Sequence, residues 1–181
     1  MTSTVAIARR VEVTSTNDRK RMVGRAGALL LLGLATLAHA DGQAACAAAA
    51  GTYLTGTVVA GPFYAHGKAV GGKQLSHTRL SLKADQDGRV YDVAIDNIYA
   101  AGYDQAGDRI PAPLDGIHRQ DRLELCGQRY TSGLGIHWVH TNCGARPNRN
   151  HPDGWVKVLD AKGSAGPNLE SSTEYCGLWK Y

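Results

Sequence analysis

The residues best suited to chemistry are histidines, and two short motifs hold three of them. His137 and His140 stand in His-Trp-Val-His, and His151 stands with Asp153 in His-Pro-Asp-Gly-Trp. Imidazole titrates near neutral pH, and in its neutral form it is the commonest metal ligand. These residue types therefore point to proton transfer or to metal-assisted hydrolysis.

An acid–base site without a metal is the first possibility. Its candidate catalytic residues are His77, Arg79, Asp96 and His140. A histidine beside Asp96 could transfer protons, and Arg79 could bind an anionic substrate through two parallel hydrogen bonds. Such a site would suit phosphodiester or ester hydrolysis. Arg79 also has a simpler interpretation, in which it lies on a solvated strand face and pairs with Asp92 or Asp96.

A metal site is the second possibility, with zinc as the metal. The candidate ligands are His77, His137, His140, His151 and Asp153. Three converging ligands and one open position would activate a bound water for hydrolysis. His137 and His140 are three residues apart, so on a strand they would lie on opposite faces unless the chain bends. The simpler interpretation is that the histidines pack beside tryptophans and bond to backbone carbonyls, and no other cofactor is indicated.

Binding without catalysis is the interpretation that the sequence favours. The chain contains no Gly-x-Ser-x-Gly motif, no phosphate-binding loop and no His-Glu-x-x-His motif, so nothing indicates a serine hydrolase, a nucleoside triphosphatase or a zincin. Aromatic residues such as Tyr91, Tyr130 and Trp138 could contact a small ligand, a glycan or a protein. We therefore expect a binding or interaction module, with a small hydrolase as the alternative.

Alternating apolar and polar residues predict the strands that must position these side chains. The expected strands cover residues 53–59, 76–83, 91–97, 121–130 and 135–141. An Asp-Gly turn at 87–88 joins the second and third strands into a hairpin, and residues 65–72 read as a flexible loop. Five strands with a long excursion after the third match a small, mainly β, OB-like barrel, with a meander or sandwich as the alternative. Residues 144–181 are expected to be a disulfide-stapled tail packed on the barrel.

Several motifs between residues 56 and 158 occur in a recognisable order. They are Ser-His-Thr-Arg-Leu at 76–80, Val-Ala-Ile-Asp-Asn-Ile at 93–98, Asp-Arg-Leu-Glu at 121–124 and then the two histidine motifs. Together they resemble a family of small exported bacterial proteins described only as a domain of unknown function. The resemblance implies export and a β-rich fold, and it carries no catalytic role. This chain differs by its four cysteines, its longer loop at 100–115 and its tail, and Asp96 stands where the family has a histidine.

The amino terminus predicts an export signal. A basic segment, an apolar segment of twelve residues and the sequence Ala38-His39-Ala40 follow one another, so residues 1–40 are expected to be a signal peptide. Residues 41–181 would then form a single mature domain, and Met22 is an alternative start. The apolar segment is shorter than the roughly 20 residues of a membrane span. We therefore expect a periplasmic or extracellular protein without a membrane span.

The net charge of the chain comes from this leader. Residues 1–40 carry six of the 20 basic residues and two of the 16 acidic ones, so the remainder has 14 of each and a formal net charge of zero. Overall charge therefore gives no support to nucleic-acid binding.

The four cysteines all follow the leader, and an even number in an oxidising compartment predicts two disulfides. If residues 131–133 form a hairpin turn, Cys126 lies opposite a position near residue 139, about 13 Å from Cys143 at a strand rise of roughly 3.3 Å per residue. A disulfide spans at most about 7 Å between Cα atoms, which disfavours that pair. Because the first strand of an OB-like barrel lies beside the fourth, we expect Cys46–Cys126 and Cys143–Cys176.

Overall fold

Five strands of this chain are hydrogen-bonded in a ring, and a sixth strand lies outside it. The computed structural model describes residues 40–179, so nearly all of the expected signal peptide lies outside the described residues. The strands are β1 (Thr52–Val70), β2 (Lys73–Ala84), β3 (Val90–Asp96), β4 (Arg122–Arg129), β5 (Gly135–His137) and β6 (Trp155–Leu159). The helices are α1 (40–48), α2 (Tyr103–Ala106) and α3 (Ala112–Asp115), with 3-10 turns at Asn97–Tyr99 and Cys176–Leu178.

The pairing of the strands defines the ring. The order in the sheet is β1-β2-β3-β5-β4-β6, and β1 also pairs with β4. All these pairs are antiparallel except β3–β5, which is parallel. β6 pairs with the edge of β4 that does not face β1. The mainly β fold with five strands in the expected chain order is thus confirmed, and the tail adds the sixth strand, β6.

Strand alternation explains where the core lies. In β2 the side chains of Thr78, Leu80 and Leu82 are buried, whereas Arg79 and Lys83 are exposed. The inward side chains of the other strands join them inside the ring, and α3 contributes Leu114. One face of each ring strand is therefore apolar, which leaves the outward face of β2 and β3 free to carry polar residues such as His77 and Asp96.

The prediction of a flexible loop at residues 65–72 is wrong, because β1 runs on to Val70 and β2 begins at Lys73. The two strands form a ribbon in which His66 pairs with Ser76 and Ala69 pairs with Gln74. Its turn is only Gly71–Gly72, both with positive φ, which glycine adopts at little cost. The ribbon has mostly exposed or half-exposed side chains. The ribbon is held together by backbone hydrogen bonds. Because its side chains are not buried in the core, its sequence does not alternate between apolar and polar residues.

The fifth strand is shorter than predicted, since it ends at His137 instead of continuing to residue 141. Trp138 has a φ of 53°, a left-handed conformation that L-residues with large side chains seldom adopt. The chain therefore bends immediately after His137. This bend removes the strand alternation that would have placed His137 and His140 on opposite faces.

Both predicted disulfides are present. Cys46 of α1 is bonded to Cys126 of β4, with their Cα atoms 5.6 Å apart, and Cys143 is bonded to Cys176, with a Cα separation of 5.2 Å. The pairing of Gln128 with His137 sets the hairpin register that the prediction assumed. The first bridge fixes α1 to the ring, and the second fixes the end of the tail.

The tail after residue 144 packs on the ring through β6 and through single buried residues. Val156 and Glu170 are completely buried, and the backbone N–H of Leu169 donates to the carbonyl oxygen of Val156. Within residues 40–179, no helix has the length and apolar character of a membrane span.

Candidate functional site

A cavity of about 220 Å³ opens where β2, β3, the bend after β5 and the carboxy-terminal tail meet. It contains four of the candidate catalytic and metal-ligating residues, namely His77, Asp96, His137 and His140. The complete lining is Lys68, Leu75, Ser76, His77, Asp96, Ile98, Tyr99, His137, Trp138, His140 and Trp179.

The first pair in the site is set by the β2–β3 hairpin. His77 and Asp96 are cross-strand partners, and the Nε2 atom of His77 lies 2.8 Å from Oδ1 of Asp96. On the buried side, Thr78 Oγ1 donates to Asn97 Oδ1 at 2.6 Å, and Asn97 Nδ2 donates to Ser76 Oγ at 3.0 Å. These buried hydrogen bonds hold the end of β3 against β2 and so fix the position of Asp96.

The second oxygen of Asp96 faces His140. Nε2 of His140 lies 3.6 Å from Oδ2 of Asp96, and His140 is only 1% exposed. Nδ1 of His140 lies 2.8 Å from the carbonyl oxygen of Thr141, and a carbonyl can only accept, so Nδ1 carries the proton. Burial lowers the pKa of His140, although the nearby Asp96 carboxylate opposes the shift. His140 is therefore neutral at neutral pH, and its Nε2 is an acceptor that faces another acceptor.

Aromatic rings enclose the other sides of His140. The ring of Tyr99 stacks on His140 with centroids 3.6 Å apart and planes within 5°, and Trp179 stacks on Tyr99 at 5.4 Å. Trp138 packs beside His140 at 4.9 Å. Its Nε1 atom is buried and has no hydrogen-bond partner among residues 40–179. Trp138 and Trp179 both keep part of their surface exposed.

His137 completes the histidine cluster. It is half-buried, and burial lowers the pKa of its imidazole, while Asp96 opposes the shift and His77 adds to it. Its ring meets Tyr130 edge-on at a centroid distance of 5.3 Å. The bend at Trp138 is the reason that His137 and His140 both reach the cavity.

Three predicted site residues lie elsewhere. Arg79 forms a two-bond ion pair with Asp92, with N–O distances of 3.3 and 2.5 Å, which is the simpler of its two interpretations. His151 packs against Trp138 at 4.8 Å without lining the cavity. Asp153 accepts a hydrogen bond from the backbone N–H of Asn142 at 2.8 Å. Within residues 40–179, no three His, Cys, Asp or Glu side chains are arranged to hold a metal ion, so the described side chains do not assemble the predicted zinc set.

The sequence did not indicate how three other lining residues reach the site. Lys68 lies on the ribbon read as a loop, Tyr99 follows β3 in a 3-10 turn, and Trp179 arrives through the tail. The backbone N–H of Ser172 donates to the carbonyl oxygen of Tyr99 at 2.8 Å, which ties the tail to the site. Trp179 stood out in the sequence as an aromatic residue in a polar tail, but its position in the cavity depends on the Cys143–Cys176 disulfide.

Glu170 is a buried carboxyl group close behind the site. The backbone N–H of Thr141, next to His140, donates to the carbonyl oxygen of Glu170 at 2.9 Å. The side chain is 0% exposed, and neither carboxyl oxygen has a hydrogen-bond partner in the described part of the chain. Burial raises the pKa of Glu170 well above its ordinary value, and the charge of Asp96 adds to the shift. Burial therefore favours the protonated, neutral form of Glu170.

Comparison of the chain with protein-family models and with curated proteins finds no match. The function is therefore inferred from the cavity and the side chains that line it.

Proposed function

We propose that this protein is an exported domain with an OB-like barrel that binds a small polar ligand in the histidine cavity. The ring order β1-β2-β3-β5-β4-β1 with a parallel β3–β5 pair supports the OB-like description, because that fold is a five-stranded barrel of this connectivity. The two disulfides support export, since such bonds persist in oxidising compartments.

One observation carries the proposal of a binding site. Oδ2 of Asp96 and Nε2 of His140 are two acceptors only 3.6 Å apart, and they line a cavity of about 220 Å³. The Asp96 side chain is 25% exposed. A ligand that presents O–H or N–H donors would bond to these two acceptors, which otherwise face each other.

Binding can be tested by NMR on the exported protein with its histidine side chains labelled. We expect one class in a panel of neutral sugars, nucleosides, amino acids and short peptides to shift the imidazole signals of His77 and His140. The response should disappear in Asp96→Asn, which exchanges one acceptor for a donor. Asp92→Asn is the matched control, because Asp92 lies on the same strand face but outside the cavity. Unchanged imidazole signals across the panel would contradict the proposal.

Hydrolysis is a second candidate, and the hydrogen-bonded pair His77–Asp96 favours it. A carboxylate that holds one ring nitrogen of a histidine orients the imidazole and stabilises its protonated form. His77 would take a proton from water as the water oxygen attacks an ester carbonyl or a phosphodiester, and it would return the proton to the leaving alcohol. Turnover of ester or phosphodiester substrates that is lost in His77→Gln and kept in His118→Gln would support this candidate. His118 is exposed and lies outside the cavity.

A further inference from the structure

We infer that the ligand of the histidine cavity is an uncharged pyranose sugar residue. This inference rests on the proposed binding function and adds the chemical class of the ligand. Four properties of the described residues support it: the charge of the cavity, the pairing of cations on the strands, the two adjacent acceptors, and the aromatic wall.

The charges of the cavity balance. Lys68 and Asp96 have opposite charges, His77 is paired with Asp96, and burial lowers the pKa of His137 and of His140 and so favours their neutral forms. A charged ligand would lose its hydration on entry without meeting a net opposite charge, which is costly in a buried site. The cavity therefore favours an uncharged ligand.

Four of the cations on the strands are already paired with carboxylates. The pairs are Arg79–Asp92, Lys73–Asp104, Arg122–Asp85 and Lys157–Glu124. Binding of a nucleic acid draws most of its affinity from cations that contact phosphates. Arg79, which shares the outer face of β2 with His77, is held by Asp92 and is therefore poorly placed for that role, which favours a neutral sugar over a nucleotide or a nucleic acid.

The hydrogen-bonding groups suit neighbouring hydroxyls. The cavity offers two acceptors side by side, Asp96 Oδ2 and His140 Nε2. A hydroxyl can donate a hydrogen bond to such an acceptor. Two hydroxyls on adjacent ring carbons could donate to this pair.

The aromatic wall and the size of the cavity suit one sugar ring. Trp138 and Trp179 line the cavity and are half-buried. The face of an aromatic ring is negative, so it attracts the slightly positive C–H groups on one face of a pyranose. A volume of about 220 Å³ accommodates a single ring, whereas the rest of a longer glycan would remain outside.

The test is a titration of the full exported protein, followed through the indole N–H signal of Trp138 and the imidazole signals of His140. The probes are the methyl pyranosides of glucose, galactose, mannose and N-acetylglucosamine, compared with the charged relatives glucuronic acid and glucosamine. We expect at least one neutral pyranoside to shift both residues, and its charged counterpart to bind at least tenfold more weakly. Stronger binding of the charged sugars would overturn the inference.

Variants separate the sugar inference from the proposed function. Asp96→Asn and Trp179→Ala should each weaken the binding at least tenfold, whereas Asp92→Asn should leave it unchanged, with thermal unfolding used to confirm that each variant is folded. If nucleosides or amines shift His140 and no pyranoside does, the sugar class is wrong and the binding function stands. If no compound of any class shifts His140, both are overturned.

Discussion

The imidazole of His140 lies flat on the ring of Tyr99, with centroids 3.6 Å apart and planes 5° from parallel. The stack excludes water from one face of the imidazole and leaves Nε2 pointing at Asp96. The stacking on Tyr99 therefore favours the neutral form of His140 and also fixes the direction of the Nε2 lone pair.

Replacement of Tyr99 by leucine should raise the pKa of His140 toward its ordinary value, because water would reach the imidazole. We expect a loss of about 1–3 kcal/mol in the free energy of unfolding. NMR titration of the His140 ring proton measures the pKa, and Tyr130→Leu, which loses its contact with His137 instead, serves as the control. Titration of His140 at its ordinary value in the unaltered protein would refute the argument.

Replacement of Glu170 by glutamine should stabilise the protein at pH 8 and have little effect at pH 4. The raised pKa in the folded state means that folding costs free energy once the pH exceeds the pKa of the unfolded chain. The cost grows until the pH passes the folded pKa, by about 1.4 kcal/mol for each pH unit. Urea unfolding at the two pH values measures the difference. Glu174→Gln is the control, because Glu174 is exposed, and equal effects of the two variants would contradict the buried neutral acid.

The two disulfides should have different consequences when they are removed. The chain-entropy model gives roughly 4 kcal/mol for either loop, with the 80-residue separation of Cys46–Cys126 worth about 0.8 kcal/mol more than the 33-residue separation of Cys143–Cys176. Only the second bridge holds the tail that carries Trp179. Double serine variants, compared by urea unfolding and by ligand titration, should show the weaker binding in the Cys143–Cys176 variant alone.

Replacement of Gly67 by alanine should displace His77 from Asp96. A Cβ atom at this position would lie 2.9 Å from Cε1 of His77 and 3.2 Å from Nδ1, which is too close for the present imidazole position. We expect weaker binding with only a small change in the free energy of unfolding. Gly116→Ala is the matched control, because its φ is −72° and the nearest atom would be 3.8 Å away. If the imidazole signals of His77 and the affinity for ligand were unchanged in Gly67→Ala, the close pairing of His77 with Asp96 would be disproved.

The sequence was informative wherever one face of a strand is buried. The alternation in β2 and β3 predicts the hairpin that pairs His77 with Asp96. The register of the β4–β5 hairpin disfavours a Cys126–Cys143 bridge, and the expected neighbourhood of the first and fourth strands then predicts both disulfides. The ribbon that carries Lys68 has no core beside it and so leaves no apolar pattern. A left-handed backbone conformation cannot be predicted from the sequence at a residue such as Trp138, because it is usually adopted by glycine. The bend that brings His137 and His140 to the same cavity could therefore not be foreseen. Trp179 and Glu170 reach the site through long-range folding of the tail.

The most direct test of the binding site is the tautomer of His140 in the free protein, read from its two ring-nitrogen chemical shifts at pH 7. We predict a proton on Nδ1, bonded to the Thr141 carbonyl oxygen, and an unprotonated Nε2 that faces Asp96 and whose chemical shift changes when ligand binds. A protonated Nε2 would contradict it, because His140 would then donate to Asp96 itself and the pair of acceptors would not exist.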